Sequence, residues 1–438
     1  MNKYMLYLRK FFPLIFLGLS FFILFYTFYK AEIIWNGEKK NFYLPYYIIS
    51  VFSIIFSISV FFFSDRTKDY LMIILSSILI SLYLSEAYIT LGFHKKENLD
   101  RIKIYQEITG KEYDLRSKIQ VYNDIKKINP NVTVSTFPIY FYGQKTNIFP
   151  FSGISNSQTI HCNENGYYSI FKSDRYGFNN PDNEWDQQEI EYLLVGDSYT
   201  LGACVNQPND ISSILRKLSN KSVLNIGYDD NGPLIEYASM REYLRPNVKK
   251  ILWIYYEGND LNSLGDKLSN KLLKKYLNDL TFSQNLKKRQ PEIDKAIFDM
   301  IERKKDHNPT EIDRMFFVKR FLKLYQLRAF LRFQQEAELI PEFTKIIELA
   351  NNLSNENRSK LYFVYLPDYR RYKNNFNYTN YSKIKEIIKT LDIPFIDIHL
   401  EVFLKEENPL KLFPFESVGH YNEEGYRKVA QKIFELAK

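Results

Sequence analysis

Cysteine is scarce in this chain of 438 residues: there are two, Cys162 and Cys204. Two are too few for a scaffold stapled by several disulfides, or for the paired-cysteine sets that hold structural zinc. Charge of one sign is nowhere concentrated. The net charge is +8, yet lysines alternate with acids through segments such as Lys267 to Lys288, the pattern of solvated helix faces. No basic stripe is present that would neutralise a phosphate backbone, so a nucleic-acid partner is not expected. There is also no internal repeat, which excludes a solenoid or propeller array. Nothing in the sequence requires a cofactor or a metal ion.

Apolar residues are plentiful and unevenly placed. Three long apolar stretches precede residue 95, Phe11 to Phe28, Phe42 to Phe63 and Tyr70 to Phe93. Each is near the roughly 20 residues that cross a bilayer core. Lys3, Arg9 and Lys10 precede the first stretch as they would in a signal peptide. It is longer than a signal-peptide core, however, no small-residue cleavage site follows, and two more apolar segments come after it. The expectation is three transmembrane helices within residues 1–94, with the lipid bilayer as partner. Lys30, Lys39 and Lys40 in the first loop, and Arg66 and Lys68 in the second, compete with the N-terminal charges. The balance still favours an inside N-terminus. Three crossings of the cytoplasmic (inner) membrane then place everything after Lys95 outside the cytoplasm. Glu86 is the one acid in these stretches. An intramembrane carboxylate is a functional candidate, but near the end of its helix it can reach the headgroups, and that plainer reading is preferred.

The soluble part alternates strand and helix patterns. Tyr192–Val195, Ser222–Ile226, Ile251–Tyr256, Leu361–Leu366 and Phe395–Ile398 are short apolar runs bounded by charged or turn residues. Such runs suit strands buried on both faces, with the amphipathic stretches between them as crossover helices. The predicted fold class is therefore α/β with a parallel sheet, in residues 189–438. Residues 261–360 form an insertion too long for a plain crossover and read as a helical subdomain or lid. Residues 95–188 read as an irregular, aromatic-rich lead-in packed on the catalytic domain.

One stretch carries the chemistry. In LLVGDSYTLG, Leu193 to Gly202, the first strand of this part stops at Gly196 and a helix begins, so the Ser198 hydroxyl stands at the carboxyl edge of the sheet, where open α/β sheets bind ligands. A Ser or Asp there is also what caps a helix. The next two strands end in NIGYDDNGPL, Asn225 to Leu234, and YYEGNDL, Tyr255 to Leu261. Ser198, the turn from Asp230 to Gly232, and Asn259 would thus share one crevice. FESVGHYNEEGY, near the C-terminus, adds His420 at the mouth of the last helix. A hydroxyl, an imidazole, a carboxamide and turn amides are the parts that acyl transfer needs.

In these four blocks the sequence resembles the SGNH, or GDSL, hydrolases over roughly Glu189 to Lys438, interrupted by the insertion. The resemblance implies a flavodoxin-like α/β/α sandwich. It implies Ser198 as nucleophile, His420 as its base, and an oxyanion hole made by the N–H of Ser198, an N–H of the second block and the Asn259 side chain. The lesser alternative for Asn259 is an Asx-turn former alone. Two positions depart from the family. Asp230 stands where the family has Gly, leaving Gly232 as the fallback donor, and Ser417 stands where it has the Asp that orients the histidine. Glu416 is the adjacent candidate, a Ser–His dyad the alternative. An α/β-hydrolase elbow is a poorer match, because that fold places its nucleophile after several strands.

A membrane-anchored domain of this type outside the cytoplasm resembles those acting on O-acyl groups of cell-envelope or exported polysaccharides, as an esterase or as an acyltransferase. The alternative, motivated by the two departures, is an inactive binding or scaffold protein of the cell envelope. Cys204 follows Ser198 by six residues and Cys162 lies in the lead-in; they are either a disulfide or two buried thiols.

Overall fold

In the computed structural model, residues 3–34, 40–141, 147–306, 318–331, 336–373 and 376–437 are described. Lys39 in the first loop and residues 307–317 and 332–335 of the expected insertion lie outside them. The chain divides into two compact units. One comprises Met1–His94 and Arg314–Phe333; the other comprises Lys95–Asp313 and Gln334–Lys438.

The first unit contains helices α1 (Lys3–Phe28) and α2 (Lys40–Val60) and the start of α3 (Asp65–Thr109). Three apolar spans, Arg9–Ile33, Tyr43–Val60 and Asp65–Leu91, are long enough to cross a membrane. Many of their apolar side chains face outward, with Phe22 66% and Phe52 69% exposed, as suits helices surrounded by lipid. Hydrogen bonds join the helices where polar groups occur. The Ser20 and Ser57 hydroxyls lie 2.9 Å apart, and the Arg9 guanidinium donates to Asp69 at 2.9 Å and to Asp65 at 3.0 Å. Glu86 departs from expectation. It does not reach outward but is 1% exposed, its carboxylate accepting the backbone N–H groups of Gln326 at 3.0 Å and Leu327 at 2.7 Å. Two N–H donors replace the water it gives up.

The second unit is built on a five-stranded sheet. Its strands are β4 (Ile190–Gly196), β5 (Val223–Asn225), β6 (Val248–Tyr256), β7 (Lys360–Leu366) and β8 (Phe395–Asp397). They are all parallel in the order β5-β4-β6-β7-β8. This is the doubly wound order in which the first strand is flanked by the second and third. The predicted α/β fold with a parallel sheet is thus present, and all five predicted runs are strands.

Their continuous apolarity has a plain cause, because alternate residues enter two different cores. From β6, Ile251, Trp253 and Tyr255 face one side with helices Pro233–Tyr243 and Pro341–Glu356. Leu252, Ile254 and Tyr256 face the other with helices Ile211–Ser219 and Glu423–Leu436. Each such side chain contributes about 1.5–3 kcal/mol by burial.

The lead-in is more ordered than its sequence suggests. It holds a helix, Lys118–Lys126, and a small sheet of β1 (Val132–Val134), β2 (Gln158–Ile160) and β3 (Ile170–Lys172). Three-residue strands are too short to show an alternation. The described part of the insertion is mainly helical, with non-helical chain at residues 279–289 and 336–340, and Arg314–Phe333 groups with the apolar helices.

Candidate active site

Gly196 ends β4 under a tight constraint: a Cβ there would lie 2.1 Å from Thr200 Oγ1 and 2.6 Å from the Ile254 carbonyl. The chain then turns into the one-turn helix Ser198–Leu201, which closes at Gly202 with φ 86°. Asp197 is the cap of this turn, its Oδ1 accepting the Tyr199 N–H at 2.9 Å. That leaves the Ser198 side chain free of capping duty. Its Oγ lies 2.9 Å from His420 Nε2.

The histidine is held from behind by a residue the sequence did not point to. Both oxygens of Glu164 lie 3.1 Å from His420 Nδ1, and Glu164 Oε2 also accepts the His420 backbone N–H at 2.6 Å. Glu416, the expected orienting acid, is exposed, and its backbone carbonyl, not its carboxylate, is the group engaged, accepting the Tyr369 hydroxyl. The segment before His420 turns through left-handed backbone at Phe415 and Glu416, which carries that side chain away from the ring. Glu164, not an acid of the segment before His420, is thus the carboxylate in contact with the ring.

Electrostatics suit a base. Burial alone would lower the His420 pKa, but the carboxylates around it, Glu164 first and then Asp197 and Asp229, together outweigh burial and raise it above 6.5. Burial would likewise raise Glu164, and the imidazolium pulls it below the usual carboxylate value instead. The Tyr199 ring lies 4.8 Å from the imidazole, and its hydroxyl donates to the Gly419 carbonyl at 3.2 Å.

Glu164 is fixed by its neighbours in the chain. Cys162 and Cys204 form a disulfide with Cα atoms 5.0 Å apart, and Asn165 Nδ2 donates to the Cys204 carbonyl at 2.9 Å. Cys204 Sγ is 3.8 Å from His420 Nδ1, so the bridge lies against the imidazole. The lead-in is tied down a second time through His161, whose Nε2 lies 2.8 Å from both oxygens of buried Asp229 in the turn after β5. The sulfurs that approach His161 and His420 closely enough to share a metal ion are bonded to each other.

The turn after β5 and the start of helix Asp260–Leu268 complete the edge. Asp230 adopts φ 55°, the left-handed region that Asp enters more easily than most residues. Lys267, buried to 1% exposure, donates to the Asn231 carbonyl. Among the described hydrogen bonds, none uses the N–H of Ser198, Asp230 or Gly232 as donor. Asn259 makes no side-chain capping bond, so the Asx-turn reading does not apply, and its Oδ1 is buried without a partner. Burial pushes the Asp197 carboxyl up to about 6, opposed by the Tyr199 N–H, the His420 charge and the Asn259 side chain. Burial also holds Glu236 and Asp260, behind the edge, well above the usual carboxylate range.

The structure thus brings Ser198 and His420 together, sets Asp230, Gly232 and Asn259 on adjacent strand ends, and leaves Glu416 apart. The signal for Glu164 was its place two residues after Cys162. Once the bridge to the nucleophile turn is accepted, Glu164 is the acid nearest to it in the chain.

No family model and no curated protein matches the chain. A search of solved structures finds similarity to one described as a lipolytic protein of G-D-S-L family, from Desulfitobacterium hafniense DCB-2. The TM-score is 0.31 and the identity 13%, covering 57% of this chain and 99% of that one.

Proposed function

We propose that this chain is a membrane-anchored serine esterase or O-acyltransferase that works through an acyl-enzyme on Ser198. The observation that carries the reading is the chain of contacts Ser198 Oγ to His420 Nε2 at 2.9 Å and His420 Nδ1 to Glu164 at 3.1 Å, at the carboxyl edge of a parallel sheet. In the first half-reaction Ser198 Oγ attacks the acyl carbonyl while His420 Nε2 takes its proton. Glu164 holds the ring in the tautomer that accepts at Nε2 and stabilises the imidazolium. The oxyanion is met by the N–H of Ser198, by the N–H of Asp230 or Gly232, and by the Asn259 amide. Collapse expels the alcohol, protonated by His420. In the second half-reaction His420 deprotonates a water, giving hydrolysis, or an acceptor hydroxyl, giving transfer.

On this reading the N-terminus is cytoplasmic and the catalytic unit faces outward, as the basic residues before α1 favour. Substrates are then acyl esters of cell-envelope or exported polysaccharide. The test is a fluorophosphonate probe applied to the purified protein: it should label Ser198, and both His420→Ala and prior treatment with a small acyl ester should suppress labelling. Absence of any label on Ser198 would overturn the proposal. Release of free acid from an acylated glycan, against appearance of an acylated acceptor, then separates hydrolysis from transfer.

A further inference from the structure

Residues 318–331 lie far along the chain from the apolar helices yet belong to their unit. They form two short helical pieces joined by a turn at Lys323 and Leu324, the second being helix Tyr325–Leu331. Both pieces are fastened to α3 inside its apolar span. The Tyr83 hydroxyl donates to the Leu322 carbonyl at 3.1 Å, and the Tyr83 and Phe321 rings lie 5.5 Å apart. The Glu86 carboxylate accepts the N–H groups of Gln326 and Leu327. The span runs from Asp65 to Leu91, so Glu86 lies five residues, or about 7.5 Å, from its end at 1.5 Å per residue. That is the depth of the boundary between acyl chains and headgroups.

The composition of the piece fits that depth. Val318, Leu322 and Tyr325 are exposed at 45%, 61% and 42%, while Lys319, Lys323 and Arg328 are exposed cations interleaved with them. An apolar set alternating with cations, fastened to a long apolar helix, is the pattern of interfacial elements. A carboxylate satisfied by two backbone amides is also what a charge at this depth requires, so Glu86 serves as the fastening. We propose that residues 318–331 form a membrane-interfacial surface that binds anionic phospholipid headgroups, with Leu322 inserted at the acyl boundary and Lys319, Lys323 and Arg328 on the phosphates. The surface is independent of the catalytic reading.

The test uses the full-length protein in nanodiscs of phosphatidylcholine alone or mixed with phosphatidylglycerol. A polarity-sensitive fluorophore is placed on Leu322→Cys. The expected result is blue-shifted emission, quenched by a nitroxide near the top of the acyl chain, and stronger in the anionic discs. Neutralising Lys319, Lys323 and Arg328 to Gln should abolish the preference for anionic discs, each change weakening it by about fivefold. Water-like, unquenched emission in both discs would overturn the proposal. Equal quenching in both, unmoved by the Gln substitutions, would also overturn it by showing an apolar contact without headgroup selection.

Discussion

Replacing Glu164 by Gln keeps the size of the side chain and an acceptor for the His420 N–H, and removes only the charge. Two unit charges 3.1 Å apart attract by about 5 kcal/mol at an effective dielectric near 20. The two side chains are 23% and 24% exposed, so solvent removes part of this, leaving about 3–4 kcal/mol. If that attraction is realised mainly when His420 carries the nucleophile's proton, its loss lowers kcat/KM by roughly 10²- to 10³-fold. The sign of the pH effect is independent of that size. A base works when neutral, and Glu164 is the foremost of the carboxylates that raise the His420 pKa above 6.5. Wild-type activity should therefore climb through a pKa above that value, and Glu164→Gln should move the acidic limb to lower pH even as the plateau falls. The assay is kcat/KM for a small chromogenic acyl ester across the neutral range, with Glu416→Gln as comparison. Full activity with an unmoved limb in Glu164→Gln, or a comparable loss in Glu416→Gln, would refute the assignment.

Ser198→Ala should cost roughly 10³-fold or more in the same assay and Asn259→Ala about 10²-fold, the difference between a member of a unit and one oxyanion donor; a fully active Ser198→Ala would end the mechanism. The disulfide closes a separation of 42 residues, for which chain entropy gives about 4 kcal/mol. Cys162→Ser should destabilise the protein as much as the double Ser variant does, with activity falling because Glu164 loses its tether; two titratable thiols in unreduced exported protein would remove the bridge. The Glu164–His420 pair should stabilise most between the ordinary values of 4.5 and 6.5. That contribution is lost as pH falls through the lowered Glu164 pKa and as pH rises through the raised His420 pKa. The melting-temperature gap between wild type and His420→Gln should accordingly peak near pH 5.5, and a gap that grows above neutrality would contradict it. A reporter active only outside the cytoplasm, fused after Lys438, should be active; silence there with a working cytoplasmic reporter would reverse the orientation.

The parts of the fold legible in the sequence were those whose physics is local. Five apolar runs became five parallel strands because two-sided burial favours apolar residues along their length, as at Ile251 to Tyr256. The turn at Gly196 and Ser198 was legible for the same reason, being a sharp break in a continuous pattern. The strands Val132–Val134, Gln158–Ile160 and Ile170–Lys172 were not, because three residues hold barely more than one period. Glu164 escaped because its partner lies 256 residues away and its own segment has neither helix nor strand period. Glu416 was chosen by adjacency to His420, and the backbone reversal at Phe415 and Glu416 makes adjacency misleading. Glu86 was noticed as an acid in an apolar span, but the amides that satisfy it come from 240 and 241 residues later.

The bridge between Cys162 and Cys204 also imposes an order of events. Both cysteines leave the ribosome well before His420, which follows Cys204 by 216 residues. If the unit is exported as it is made, the bridge can close while the sheet is still incomplete, setting Glu164 in place before its histidine arrives. The last helix then docks onto a half-built centre. A chain kept in a reducing compartment would meet that step with its carboxylate untethered, so on the proposed reading the order of assembly depends on where the chain folds.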